Sequence, residues 1–313
     1  MTKNTVWQEA LSIRFRKLLS GATDGNPPWL GVVAQGDDRG LFLPTDAPWV
    51  VHRDFGTLVG GIRALLVQAL HPGSLAGVRD HSRYEKDPLG RLAGTIRWLT
   101  VTTFAGKDAV AGEAHRVNRL HDRVNGEYTK ADGSESAYSA HDTSLLLWVH
   151  VAFMESFLVA HEMFTATPIP AGDNTNGADN YVAQWGAAVS PLGLSKTPRS
   201  RADVDAFIED MVANKVVTVS VDTLRIVEFI QRPPLPLMAR PVYRLFFHAA
   251  VVSLRPEFRQ MLGLSAPPAW FVVPATRATL RLIRWAIGPE SPIEDAALAR
   301  LKRIGAIPPP DSH

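Results

Sequence analysis

The chain of 313 residues contains no cysteine, which excludes disulfides, zinc–thiolate sites, iron–sulfur clusters and thiolate-bound iron. Any metal must be held by His, Asp, Glu, Tyr or Met. An excess of charge of one sign is also missing. The 33 basic and 31 acidic residues leave a formal charge of +2, without the long-range field of a nucleic-acid binder. DNA and RNA are set aside as partners. No stretch alternates polar and apolar residues for long enough to build a sheet. The N-terminal sequence MTKNTVWQEALSIRFRKLL lacks the apolar stretch and small-residue cleavage site of a secretory signal, so a cytoplasmic protein is expected. The most apolar run, Leu145 to Ala160, is broken by His150 and Glu155 and falls short of a clean spanning helix. No transmembrane segment is expected.

What is present is a helical repeat almost everywhere, with 46% hydrophobic residues, enough to bury a large core. The fold class read from this pattern is all-α. Helices are expected over roughly 4–20, 54–71, 88–105, 108–125, 137–165, 178–189, 203–213, 217–231, 239–253, 268–287 and 292–305. Asp87-Pro88, Asp203 and Ser291-Pro292 supply starts, and Gly126 a stop. Residues 21–50, rich in Gly, Pro and Asp, read as an extended loop, and Thr167 to Asn180 as a second irregular region. Neither resembles a flexible linker, so one helical domain over 1–313 is expected.

The segment EAHRVNRLHDRVNG, Glu113 to Gly126, singles out His121. At helical spacing Val110, Ala114, Val117 and Val124 fall within about 60° of it, whereas His115, Arg116, Arg119 and Arg123 fall elsewhere. An imidazole on an inward face must satisfy two ring nitrogens, by hydrogen bonds within the core or by a metal. His150 repeats the pattern, with Leu146, Phe153, Met154 and Phe157 on its side of a helix that is apolar almost all round. The same two readings apply to it.

His71-Pro72 closes a helix, where an imidazole can cap the last carbonyls. Asp80-His81 reads as a solvated turn or as the polar lining of a cavity. Arg91 and Thr95 stand four apart on a capped helix and project from one face, a combination that suits an anionic group or a bound oxygen species as well as plain solvent. A pair of non-haem irons held by Glu-x-x-His motifs is disfavoured, because no such motif occurs. Gly60-Gly61 lies in a helical pattern without the spacing or lysine of a phosphate loop, and no serine elbow has triad context. The stretch Trp270 to Ile287 mixes aromatic residues with Arg277, Arg281 and Arg284. It reads either as a packed helix with snorkelling arginines or as a peripheral membrane contact.

The words GGIRALLVQALHPGSLAGVRDHSRYEKDPLGRLAGT, HRVNRLHDRVNG and YSAHDTSLLLWVHVAFMES, and more weakly PLMARPVYRLFF, resemble the MpaB-type oxygenase family, whose catalytic domain is shared with the latex-clearing rubber oxygenases. The likeness runs over a core of about 53–264. It implies an all-helical protein enclosing a haem b pocket, and activation of O₂. It also implies His121 as proximal iron ligand, in the position of the family's RLMH histidine. Arg91 and Thr95 match an arginine and a threonine on the distal side, and His150 matches a second recurrent histidine near the cofactor. Rubber cleavers carry a lysine immediately before that threonine, where this chain has Gly94. Their catalytic glutamate has no counterpart around Leu75, leaving Asp80, His81 or Glu85 as candidate bases. A small lipophilic or aromatic substrate is therefore expected rather than a polymer. The rival is a non-catalytic haem- or lipid-binding protein with the same pocket.

Overall fold

The computed structural model describes residues 4–82, 87–288 and 291–308. It is mostly helical, with 65% helix and 4% strand, as the period of the apolar residues requires. The chain opens with α1 (Val6–Ser20), α2 (Leu30–Ala34) and α3 (Ala47–His52). Then come α4 (Gly56–Gln68), α5 (Pro72–His81), α6 (Pro88–Phe104) and α7 (Lys107–His121). A hairpin of β1 (Asn125–Thr129) and β2 (Glu135–Ser139) leads into α8 (Thr143–Phe164). The remainder comprises α9 (Gly177–Trp185), α10 (Arg201–Ala213), α11 (Val221–Gln231), α12 (Arg240–Ser253), α13 (Pro256–Met261), α14 (Ala269–Ile287) and α15 (Pro292–Arg303).

The starts follow from caps. The Asp87 carboxylate accepts the Gly90 amide ahead of α6. Ser200 caps α10 with Asp203 completing the box, so Asp203 is the third helical residue rather than the cap itself. Three expectations need correction. The region 21–50 holds α2 and the start of α3, whose short turns carry too little periodicity to stand out. Gly126 does not stop the His121 helix, which already ends at His121; Gly126 belongs to β1. The expected helix from 137 begins instead at Thr143, because Glu135–Ser139 pairs antiparallel with β1. That pairing closes through Gly133, whose φ of 84° suits a residue without Cβ.

The core is organised around α4 and α8. Val59, Ile62, Leu66 and Leu70 pack with Trp148, Val151, Met154 and Leu158. Their close approach depends on two glycines one turn apart. A Cβ on Gly60 would meet Phe157 Cδ1 at 2.8 Å, and one on Gly56 would meet Thr165 Cγ2 at 2.8 Å. A buried Arg63–Glu155 ion pair crosses the same interface, with Ser156 Oγ accepting from Arg63 at 2.8 Å. At 22 residues and mean hydropathy 1.6, α8 is long and apolar enough to cross a membrane, but 61% of that span is buried inside the protein. A second cluster joins Trp29, Val33 and Trp49 to Val101 and Phe104 of α6 and Leu301 of α15. The site helices α6 and α7 pack on each other and, for α6, chiefly on α1 and α3 rather than on the α4–α8 pair.

Candidate active site

The described histidines divide by how their ring nitrogens are met. His52, not singled out from sequence, is a satisfied core histidine: Nδ1 lies 2.9 Å from Thr103 Oγ1 and Nε2 2.9 Å from Tyr181 OH. Burial pushes it down to about 3, so it is neutral. His71 is satisfied too, but it does not cap the preceding helix. Its Nδ1 accepts the amides of Gly73 at 3.1 Å and Ser74 at 3.4 Å, capping the start of α5. Pro72 at the first helical position makes this N-terminus, with its free amides, the stronger attraction for an unprotonated nitrogen. Burial pushes His71 down to about 4, which keeps that lone pair available.

His150 and His121 behave differently. His150 is buried on α8 as expected, is pushed down to about 4 by burial, and leaves Nε2 with no hydrogen-bond partner. On its side of α8 Leu146 and Phe153 are half-buried and Met154 and Phe157 are buried, so His150 sits on a largely covered face. His121 is half-buried rather than fully inside, because the stripe that begins with buried Val110 and Ala114 opens at Val117 towards the end of α7. Its Nδ1 is nevertheless buried and unpartnered. Burial, then the neighbouring His141, lowers its pKa, with Asp122 opposing. The His121 and His141 ring centroids are 5.9 Å apart, and His141 Nε2 lies 2.8 Å from Asp122 Oδ1. One turn earlier on α7, Asn118 Oδ1 is a further buried polar atom without a partner. Ten buried side-chain polar atoms lack a partner among the described residues, and three of them, on Asn118, His121 and His150, belong to α7 and α8, where water or a ligand can meet them. Two other histidines, His161 and His248, also carry one unpartnered nitrogen, but the other nitrogen of His161 bonds Thr167 O at 2.8 Å.

Arg91 and Thr95 lie one turn apart on α6, both half-buried. Arg91 Nη1 donates to Ser82 Oγ at 2.8 Å, and its side chain borders an apolar cavity of about 10 Å³ with Leu65, Leu75, Val78 and Ile226. Thr95 Oγ1 donates weakly to Arg91 O at 3.4 Å, so its lone pairs are available. Leu75 is buried in the core and borders the same small cavity as Arg91. A Cβ on Gly94 would meet nothing within 4 Å. Among the candidate bases, Asp80 is held by Arg79 at 2.6 Å and by Tyr138 OH at 2.9 Å. His81 Nε2 lies 3.0 Å from Asn125 O, and Glu85 lies outside the described residues. Thus His121, His150 and the Arg91–Thr95 pair stand on three separate helices, with α6 and α7 directly packed.

Sequence reading missed Glu113. It is buried between Arg97 Nε of α6 at 2.8 Å and Arg116 Nη2 at 2.6 Å. Burial opposes its ionisation, but the two arginines outweigh that and hold the carboxyl below its ordinary value. The available signal was the Glu113–Arg116 spacing of three on a helix. A wider open cleft of about 590 Å³ lies elsewhere, at the C-terminal end of α8 beside His161 and Arg201, and none of the four candidate residues lines it.

The whole pattern of the chain over residues 49–285 matches the family described as ER-bound oxygenase mpaB/B'/Rubber oxygenase, catalytic domain. The chain belongs to this family. It therefore carries an oxygenase domain, an oxidoreductase by class, acting on a small-molecule substrate with O₂. The match begins inside α3 and ends inside α14, and so contains every candidate residue named above. No curated protein and no solved structure matches the chain.

Proposed function

We propose that the domain binds haem b through His121 and uses O₂ to oxidise a small lipophilic or aromatic molecule. The observation that carries this reading is the neutral imidazole at the end of α7 whose buried Nδ1 has no partner. A metal ligand must be the unprotonated imidazole, and burial, which lowers the His121 pKa, favours that form. A porphyrin brings four nitrogens of its own, so one protein ligand suffices. Among the described residues no group of three or more His, Asp or Glu could hold a bare ion.

Haem iron, when bound, supplies the one-electron chemistry that O₂ needs to react with a closed-shell substrate. The chain's own residues then have separable tasks. His121 holds the cofactor by a ring nitrogen. His150 presents a second neutral imidazole, buried, whose Nε2 has no partner within the protein and is free to bond a bound group. Arg91 keeps a permanent cation, oriented by Ser82, on the same helix face as Thr95, and a positioned positive charge can stabilise developing negative charge on oxygen. Thr95 adds a hydroxyl one turn away. Gly94, with open space in front of it, supplies no side chain to compete for the iron. The expectation of a small lipophilic substrate rests on the departures from the rubber-cleaving pattern at Gly94 and around Leu75.

The test is the absorption spectrum of the purified protein before and after hemin addition, with His121→Ala beside it. Saturable uptake with a sharp Soret band, lost in His121→Ala, supports the assignment. A variant that keeps full haem content and an unchanged spectrum removes it.

A further inference from the structure

The outer side of α14 is divided lengthwise. Its inner face, Val272, Thr276, Leu280 and Ile287, is buried. Projected at about 100° per residue, Arg277, Arg281 and Arg284 form one exposed flank. Pro274, Trp285, Phe271 and Leu282 form the adjoining one. Trp270 is 79% exposed, Phe271 58%, Leu282 60% and Trp285 63%, far beyond what a packed helix with snorkelling arginines needs. The apolar surface continues onto α1, because the Trp7 and Trp285 rings lie 5.2 Å apart and Val6 and Leu11 are exposed beside Trp7. Main-chain ties fix the two helices together: Gln8 Nε2 donates to Trp285 O at 2.9 Å and Asn4 Nδ2 to Ile287 O at 3.2 Å.

Charge identifies what covers this surface. The chain as a whole is nearly balanced, yet residues 232–288 contain eight arginines, no lysine and a single acid, Glu257. Arg255, bonded to Asp205, and Arg259, bonded to Val252 O, are half-buried. The other six are exposed, although Arg277 donates to Met163 O at 2.9 Å, Arg240 to Leu235 O at 3.0 Å, and Arg284 lies over the Phe55 ring. Just before α12, Leu237 and Met238 are exposed as well, so aromatic and aliphatic side chains again accompany arginine. A second copy docked on this face by a two-fold axis would set arginine against arginine, which costs like-charge repulsion in a desolvated contact. A bilayer with anionic headgroups satisfies both flanks at once. The guanidinium groups meet phosphates, and the tryptophan, phenylalanine and leucine side chains enter the headgroup–acyl boundary.

We infer that the α1–α14 surface docks the protein peripherally on anionic phospholipid membranes. The inference does not depend on the haem assignment. It is tested by co-sedimentation of the full chain with phosphatidylcholine vesicles with or without about 30% phosphatidylglycerol. Two independent variants accompany the wild type: Phe271→Ser with Leu282→Ser, and Arg281→Glu. Wild-type protein is expected to sediment with the anionic vesicles and to be released by high salt. The double variant should bind roughly tenfold or more weakly, and Arg281→Glu several-fold more weakly on anionic vesicles only. Wild-type protein that stays in the supernatant, or variants that bind like wild type, overturn the inference. So does a wild-type dimer in sedimentation velocity that becomes monomeric in the double variant, which assigns the face to a second copy.

Discussion

Arg97 Nε of α6 stands 2.8 Å from Glu113 Oε2 of α7, across the contact that sets the helix of Arg91 and Thr95 against the helix of His121. Glu113 precedes His121 by about two turns, and its other oxygen is taken by Arg116. The pair therefore fixes the relation between two of the three helices on which the candidate residues stand.

Replacing Glu113 with Gln should cost about 1–3 kcal/mol at neutral pH, less than a fully buried pair because both arginines reach solvent. The pH dependence has a definite sign. Glu113 has a lowered pKa, so its contribution is present above the ordinary value of 4.5 and is lost as pH falls through the folded value. Urea unfolding of wild type and Glu113→Gln should differ most near pH 7 and converge in acid. A constant difference across that range would contradict the ion-pair role.

His71 makes a prediction in a different window. Its pKa is about 4 folded against 6.5 ordinarily, so the unfolded chain takes the proton first. Stability is intact above pH 6.5 and is lost as pH falls towards 4. His71→Asn keeps a side-chain acceptor for the cap but removes the titration. Between pH 7 and pH 5 it should lose roughly 1–2 kcal/mol less than wild type in urea melts. Equal losses would show that His71 does not carry the proton linkage.

Gly60 and Gly61 separate packing from propensity. Gly60→Ala places a methyl 2.8 Å from Phe157 Cδ1 and 3.1 Å from Ser156 O, and should cost about 1–3 kcal/mol. Gly61→Ala meets nothing within 4 Å and should stabilise α4 by about 0.5–1 kcal/mol. Thermal melts of the two variants should move in opposite directions, and a shared direction would argue against the close α4–α8 approach.

Arg91 distinguishes catalysis from carriage. If the protein only carries haem or a lipid, Arg91→Ala changes affinity alone. If it is the proposed oxygenase, the variant keeps its haem content and loses roughly tenfold or more of product formation, with Arg91→Lys retaining part. Haem content by pyridine haemochrome and oxidised product by mass spectrometry read the two quantities separately.

The long helices were legible because α6, α7, α8, α12 and α14 each repeat apolar residues at helical spacing over three turns or more. The hairpin was not, since five-residue strands alternate too briefly, and α5 was hidden by its glycines and serine. At the site, the inward position of His150 followed from its neighbours on the wheel. The half-buried state of His121 did not, because the wheel cannot know that α7 ends there. His71 was read as a cap, but of the wrong helix: spacing shows that an imidazole sits at a junction, and only the fold shows which free groups it meets. Glu113 escaped notice because its partner Arg97 comes from another helix.

Five paired residues of β1 and β2 separate the helix that ends in His121 from the one that carries His150. A hairpin ladder admits only whole-residue slips, and each slip turns every side chain over. Tyr138 of β2 is anchored to Asp80 at 2.9 Å, and Asn125 O of β1 to His81 at 3.0 Å. The hairpin thereby fixes where the chain leaves α7 and where it enters α8, with discrete stops instead of a pliable loop. Added residues would be absorbed at the 130–134 tip, while a single deletion within either strand would turn its side chains over and break the ties to Asp80 and His81.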